Sequence, residues 1–192
     1  MILSKNIKRF PDRGHGKGQT VMLELELMNL PDVESVAELE KLCFPEDPWP
    51  PEVYRNELAD AHEAVYLVVR VANDASVRPP PALVANGGFQ LEGDVAYITT
   101  IATHPRWRRC KIGEWLLLHL LRAARTMGAR TVMLHVRARN VAAVEFYRKY
   151  GFAVAGRVQR YYGNEAALVL TLPDLDGSEV SRLLAEPLQD PE

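Results

Sequence analysis

The stretch from Ala96 to Leu121 admits few folds. An apolar run, Ala96-Tyr97-Ile98-Thr99-Thr100-Ile101-Ala102-Thr103, precedes a compact basic segment, Arg108-Arg109-Cys110-Lys111-Ile112-Gly113. Trp115-Leu116-Leu117-Leu118-His119-Leu120-Leu121 then reads as a helix. A strand that feeds a helix through a tight basic turn is a site for a phosphate-bearing ligand. The first-turn N–H groups of a helix have no partners inside it, and its dipole favours an anion there. Two arginines and a lysine add positive charge.

The flanking sequence sets this unit in a mixed fold. Residues 1–20 hold glycines and the cations Lys5, Lys8, Arg9, Arg13 and Lys17, and are expected to form a flexible basic tail. Val21 to Met28 alternates as a strand. Pro31-Asp32 opens a helical pattern of Val33, Val36, Leu39, Leu42 and Cys43. Phe44 to Pro51 holds four prolines in eight residues and cannot be regular structure. A short helix, Glu52 to Leu58, follows.

Ala64 to Arg70 and Leu83 to Gln90 read as a hairpin whose loop carries Arg78-Pro79-Pro80-Pro81. Val95 to Thr103 is the next strand, and the helix after the basic turn runs to about Met127, with Gly128 as its cap. Thr131 to Val136 is a short strand. Asn140 to Tyr150 is a helix ended by Gly151. Phe152 to Val158 and Ala166 to Leu172 are two closing strands, and residues 173–192 form an acidic C-terminal tail. This order predicts an α/β fold, a mixed sheet with helices on both faces, over residues 21–172.

Bulk composition excludes several classes. The chain has 192 residues, 47% of them hydrophobic and 25% charged, with a formal net charge of −2, as in an ordinary globular protein. The two cysteines, Cys43 and Cys110, make no disulfide framework, and no metal-type spacing occurs, so no metal is expected. No apolar run reaches the roughly 18 residues of a membrane span, and no signal-peptide core is present. A cytoplasmic protein, monomeric or a homodimer, is expected. The basic tail reads as a solvated segment, with no direct nucleic-acid binding expected.

The motifs resemble those of the GNAT acetyltransferase superfamily. Its phosphate turn has Arg or Gln, two variable residues, Gly, any residue, then Gly or Ala; Arg108 to Gly113 follow it except at Lys111, which takes the glycine's place. A second signature is present as Asn140-Val141-Ala142-Ala143, Phe146-Tyr147 and Tyr150-Gly151-Phe152. The resemblance covers roughly Val21 to Leu172. It implies a GNAT fold with a mostly antiparallel central sheet, and acetyl-CoA as co-substrate. By the same resemblance the backbone of Ile101, Ala102 and Thr103 and the Asn140 side chain would hold the pantetheine arm. Arg108, Arg109, Cys110, Lys111, Ile112, Gly113 and Glu114 would hold the pyrophosphate.

Within the superfamily the chain is similar to N-terminal α-amino acetyltransferases. Phe44-Pro45 with Trp49, and Arg160-Tyr161-Tyr162 between the last two strands, match the regions that flank the peptide slot in the bacterial RimI type and the eukaryotic NatE type. Phe44, Trp49, Tyr161 and Tyr162 are therefore candidate substrate contacts. The RimI type has a glutamate base where this chain has His135. The NatE type has a histidine there, paired with a tyrosine at the place of Tyr97. The resemblance thus implies a protein N-terminus as acceptor, a ribosomal protein among the candidates. His135 is the expected base, Tyr97 its relay and Tyr147 the acid.

The chemistry fits an α-amine. Its reference pKa is about 7.7–8.0, against about 10.4 for lysine, so near neutrality a sizeable fraction of it is already uncharged. A modest base such as histidine then suffices. Two rival activities remain open on sequence: acetylation of a small amine such as an aminoglycoside or polyamine, and a degenerate acetyl-CoA sensor. Lysine at 111, where the family has glycine, is the best support for the sensor. A left-handed residue there would cost lysine roughly 1–2 kcal/mol, whereas one already inside the helix's first turn would cost little. The second arrangement is expected, since the backbone N–H is what a pyrophosphate needs.

Overall fold

The computed structural model describes residues 6–11, 20–59, 63–72 and 83–185. They form two compact units. The first takes in the described chain up to Gly88 together with Thr100–Leu120; the second takes in Phe89–Thr99 and the described chain from Leu121 onward.

In the first unit Asn6–Pro11, expected in a flexible tail, is strand β1, antiparallel to β2 (Thr20–Leu27) from Asn6↔Leu25 to Pro11↔Thr20. Phe10 is its anchor: it is buried, with its ring 5.2 Å from that of Trp115. One aromatic among basic residues carries no strand signal until a partner strand covers it. The remainder of that segment, and the Arg78–Pro81 loop, lie outside the described residues.

A short 3-10 turn, Leu30–Asp32, leads into α1 (Val33–Cys43), with the Asn29 N–H donating to Asp32 Oδ2 at 3.0 Å. Val33, Val36, Ala37 and Leu39 form its buried face, and Glu40 is buried with them. The proline-rich segment is irregular, as expected, and α2 spans Pro51–Ala59. β3 (Ala64–Val71) pairs antiparallel with β2. β4 (Leu83–Glu92) and β5 (Val95–Thr103) follow, then α3 (Ile112–Thr126).

In the second unit the tight turn after β4 uses Gly93 at φ 61°. α3 ends at Gly128, whose φ of 96° is the left-handed conformation expected of a helix cap. β6 (Thr131–Arg137) then pairs parallel to β5, from Val95↔Thr131 to Ile98↔Leu134. α4 (Val141–Arg148) leads to β7 (Ala153–Tyr162), and β8 (Glu165–Leu172) lies antiparallel to both β6 and β7. The eight strands run in the order β1-β2-β3-β4-β5-β6-β8-β7. With five α-helices among the described residues, this is the α/β GNAT fold.

The acidic C-terminal segment is also more than a tail. Ser178–Ala185 forms α5, with Val180 and Leu184 buried, and Leu175 is buried ahead of it. The Arg122 guanidinium donates twice to the Leu184 carbonyl, at 3.0 and 2.7 Å, and so satisfies a helix-end acceptor. Asp174, Asp176 and Glu179 point outward, which explains why composition alone reads as a tail. Residues 186–192 lie outside the described residues.

Gly88 is required by packing. A Cβ there would lie 2.2–2.8 Å from atoms of the Tyr66 ring, which is buried and held by a Tyr66 Oη to Glu57 hydrogen bond of 2.9 Å. Gly88→Ala is expected to lower the unfolding free energy by about 1–3 kcal/mol, the usual cost of overpacking. Urea titration measures this, and an unchanged midpoint would mean that the ring moves aside freely.

Candidate active site

The basic turn belongs to the first unit. Pro105–Trp107 makes a single 3-10 turn, and Arg108 follows in extended backbone (φ −64°, ψ 152°). Arg109 (φ 65°) and Lys111 (φ 60°) are both left-handed, flanking a fully buried Cys110. α3 starts at Ile112, and the Lys111 carbonyl accepts its first hydrogen bond, from Trp115 N–H at 3.0 Å. Lysine 111 is therefore the residue before the helix, not part of its first turn as expected. The turn does demand a left-handed residue, and lysine bears the strain. The reason is geometric: left-handed residues interleaved in a turn swing successive N–H groups to one side, the concave nest that holds anions.

The N–H groups of Ile112, Gly113 and Glu114 are the helix's first-turn donors, and Arg108, Arg109 and Lys111 are exposed around them. The Arg108 Nε–H also donates to the Thr103 carbonyl at 3.4 Å, tying the turn to the end of β5. Backbone donors and exposed cations of this kind fit a pyrophosphate. Nearby, the pKa of His104 is lowered by burial and by the charges of Arg106 and Arg108, so it adds no cation of its own.

The candidate proton-transfer residues belong to the second unit. β5 and β6 each alternate buried and half-buried residues, and Tyr97 sits opposite Met133. His135 is two residues beyond Met133, so Tyr97 and His135 share the half-buried face as diagonal neighbours. The His135 ring stacks on Tyr161, with centroids 4.5 Å apart and planes 12° from parallel. Its backbone carbonyl accepts from Tyr162 Oη at 3.3 Å. Burial lowers the His135 pKa below the ordinary histidine value, which keeps the ring neutral at neutral pH, as a base must be.

Tyr161 and Tyr162 were expected in a loop; they lie at the end of β7. Between Val158↔Ala167 and Tyr162↔Glu165 the register shifts, and Arg160 is left-handed at φ 55°. In a regular strand two consecutive side chains point to opposite faces. The bulge breaks that alternation, and both tyrosines engage His135, one through its ring and one through its carbonyl. Arg137 lies over the Tyr162 ring at 4.3 Å and pairs with Glu165 at 3.0 Å, while Arg139 reaches the same carboxylate at 3.2 Å.

Tyr147 on α4 is buried among Phe146 and Phe152, whose ring centroids lie 5.1 and 5.5 Å away. Burial, then the proximity of Tyr162, pushes its pKa well above the ordinary phenol value, so it holds its proton throughout the neutral range. It can donate but cannot act as a base. Asn140 is the N-cap of α4: its Oδ1 accepts from Ala143 N–H at 3.2 Å. The amide N–H groups of that side chain are what it can offer a ligand.

In the first unit Phe44 ends α1, half-buried. Trp49 packs with its ring 5.5 Å from Tyr54, against the cluster that includes Val36, Leu39 and Tyr66. Sequence reasoning missed the polar centre of that cluster. Glu40 accepts hydrogen bonds from Tyr54 Oη and Thr100 Oγ1, both at 2.8 Å. The available signal was an acid in line with Val33, Val36 and Ala37 on the apolar stripe of α1.

With this geometry in place, comparison with known proteins is direct. The chain belongs to the acetyltransferase (GNAT) family, whose model matches residues 33–152, and it is an N-acetyltransferase. It is similar to the N-alpha-acetyltransferase RimI of Mycobacterium tuberculosis, 33% identical over 146 residues that make up 73% of this chain and 85% of the relative. It is also similar to the ribosomal protein bS18-alanine N-acetyltransferase of Salmonella typhimurium, 38% identical over 88 residues, 44% of this chain and 60% of the relative. The crystal structure of the Escherichia coli ribosomal-protein-S18-alanine N-acetyltransferase matches the fold with a TM-score of 0.68 at 23% identity, over 82% of this chain and 97% of that one. No described helix is long and apolar enough to cross a membrane.

The strain at Lys111 is directly measurable. Lys111→Gly removes a left-handed penalty of roughly 1–2 kcal/mol and adds a glycine entropy cost of about 0.5–1 kcal/mol. A net gain of about 0.5–1 kcal/mol in unfolding free energy is expected by urea titration; a loss would show that the lysine side chain stabilises the turn.

Proposed function

We propose that the protein transfers the acetyl group of acetyl-CoA to the N-terminal α-amino group of a protein. The observation that carries this reading is His135 itself, stacked on Tyr161 and sharing one face with Tyr97, with burial lowering its pKa. Such a base is strong enough for an α-amine and weak for lysine, whose pKa is about 2.5 units higher. The RimI-type relatives support the same class of acceptor, and an alanine-first ribosomal protein N-terminus is the first candidate. A ribosomal acceptor places the reaction in the cytoplasm.

Acetyl-CoA supplies a thioester carbonyl and a thiolate leaving group. The turn from Arg108 to Glu114 would bind its pyrophosphate through backbone N–H groups and the exposed cations. The backbone of Ile101 to Thr103 and the Asn140 amide would hold the arm. His135 takes a proton from the acceptor amine, directly or through water, and Tyr97 relays it. Tyr147, which keeps its proton, is placed in the role of donor to the departing sulfur. Phe44 and Trp49 in the first unit, and Tyr161 and Tyr162 in the second, are the candidate contacts for the acceptor peptide.

The test is an acetyl-CoA turnover assay with peptides of varied first residue, beside lysine-only peptides and aminoglycoside and polyamine acceptors. Peptide α-amines are expected to turn over and the others to lag far behind. Robust small-amine turnover with none on peptides would overturn the reading.

His135→Ala should lower the rate by about 100-fold or more, the usual contribution of a general base. Plotted against uncharged amine, the wild-type rate should rise with pH through a midpoint below the ordinary histidine value of about 6.5, because the neutral ring is the active form and burial lowers its pKa. That limb should vanish in His135→Ala. An unchanged profile would remove His135 as the base.

A further inference from the structure

Glu40 lies in the first unit, 2% exposed, and its hydrogen-bond partners are donors. Tyr54 Oη and Thr100 Oγ1 each donate to Oε1 at 2.8 Å. The Asn86 amide and the Trp49 backbone N–H also bond the carboxyl, and Asn86 Nδ2 reaches Tyr54 Oη at 3.2 Å. An ionised carboxylate offers acceptors only, so four donors suit it and a neutral amide would not. These donors come from α2, β4, β5 and the proline-rich loop. One turn along α1, Cys43 Sγ donates to the Thr103 carbonyl at 3.4 Å, the same oxygen that receives Arg108. α1 therefore grips β5 at Thr100 and again at Thr103, on either side of Ile101 and Ala102.

We infer that Glu40 is a positioning residue for acetyl transfer, one that holds the cofactor-binding backbone of β5 in fixed relation to the acceptor loop through Trp49. The inference rests on the acetyl-CoA reading above. A packed apolar residue would fill the same space at less desolvation cost, so stability alone does not call for an acid there. What the carboxylate adds is directional bonding. It sets the height and tilt of a strand whose N–H and carbonyl groups must meet a ligand within a few tenths of an ångström. Its reach to Trp49 ties the same atom group to the loop that would receive the acceptor.

Thr100→Val keeps volume and β-branching while removing only the hydroxyl, which makes it the cleanest probe. The measurements are acetyl-CoA Kd by calorimetry on the free enzyme, and KM for each substrate with kcat. Loss of a bond to a charged group is expected to raise the acetyl-CoA Kd and KM about tenfold, with the acceptor KM within about twofold of wild type. Thr100→Ser, which restores the hydroxyl, should return both to within about twofold. Glu40→Gln, where folded as judged by circular dichroism, should raise the KM of both substrates, because its amide presents donors to donors.

An acetyl-CoA Kd and KM unchanged in Thr100→Val, whatever its melting temperature, would overturn the inference and leave acetyl transfer standing. So would an equal defect in Thr100→Ser. Failure of the unsubstituted chain to bind acetyl-CoA at all would overturn the cofactor reading and this inference with it.

Discussion

Parallel strands cannot be joined by a hairpin, and the pairing of β5 with β6 depends on that fact. The chain must travel back along the sheet before β6 can begin, and α3 makes the crossing. The turn between β5 and α3 consequently sits where a strand's carboxyl end meets a helix's amino end. Unsatisfied N–H groups and the positive end of the helix dipole fall there without further design. The same pairing sets Tyr97 opposite Met133 and places His135 on the shared face. The candidate anion site and the candidate base both trace back to one crossover.

Strained backbone does the finer positioning. Arg109, Lys111 and Arg160 are the non-glycine residues with positive φ among those described, and all three lie in the segments that carry candidate ligand or substrate contacts. At the turn, left-handed residues aim N–H groups to one side. On β7, the left-handed Arg160 and its bulge let adjacent tyrosines act together on His135, where a regular strand would separate them. Each position costs folding free energy and is held by its surroundings: Cys110 buried between the strained pair, the Arg137–Glu165–Arg139 cluster beside the bulge.

Burial gives the candidate acid and base their difference. Loss of water lowers the His135 pKa and raises that of Tyr147, because in each case it disfavours the charged form. The histidine is left free to accept a proton and the phenol is left holding one. The acidic centre at Glu40 obeys the same rule, since burial raises its pKa, but its hydrogen-bond donors oppose that by favouring the charged form.

Much of the fold was legible because its signals are local. Alternation marks β5 and β6, a leucine stripe marks α3, and Gly128 and Gly151 stand where left-handed caps are needed. The Asn140 cap and Tyr147 follow from a motif of fixed spacing. β1 was not legible, since its strand character comes from pairing with β2 and from Phe10 meeting Trp115. α5 was hidden by the exposed acids at and before its start, Asp174, Asp176 and Glu179. Lys111 misled because a left-handed position normally announces itself with glycine, and here a lysine bears the strain.

The sequence by itself determined the class of protein, the candidate anion-binding turn and the residue types available for proton transfer, because these depend on periodicity, helix-end chemistry and motif spacing. Only the tertiary structure decided which of those residues act on one another. His135 finds Tyr161 and Tyr162 across a bulge, and Glu40 finds Thr100 sixty residues away. Such pairings rest on register, burial and long-range hydrogen bonds, which exist only once separate segments have packed together.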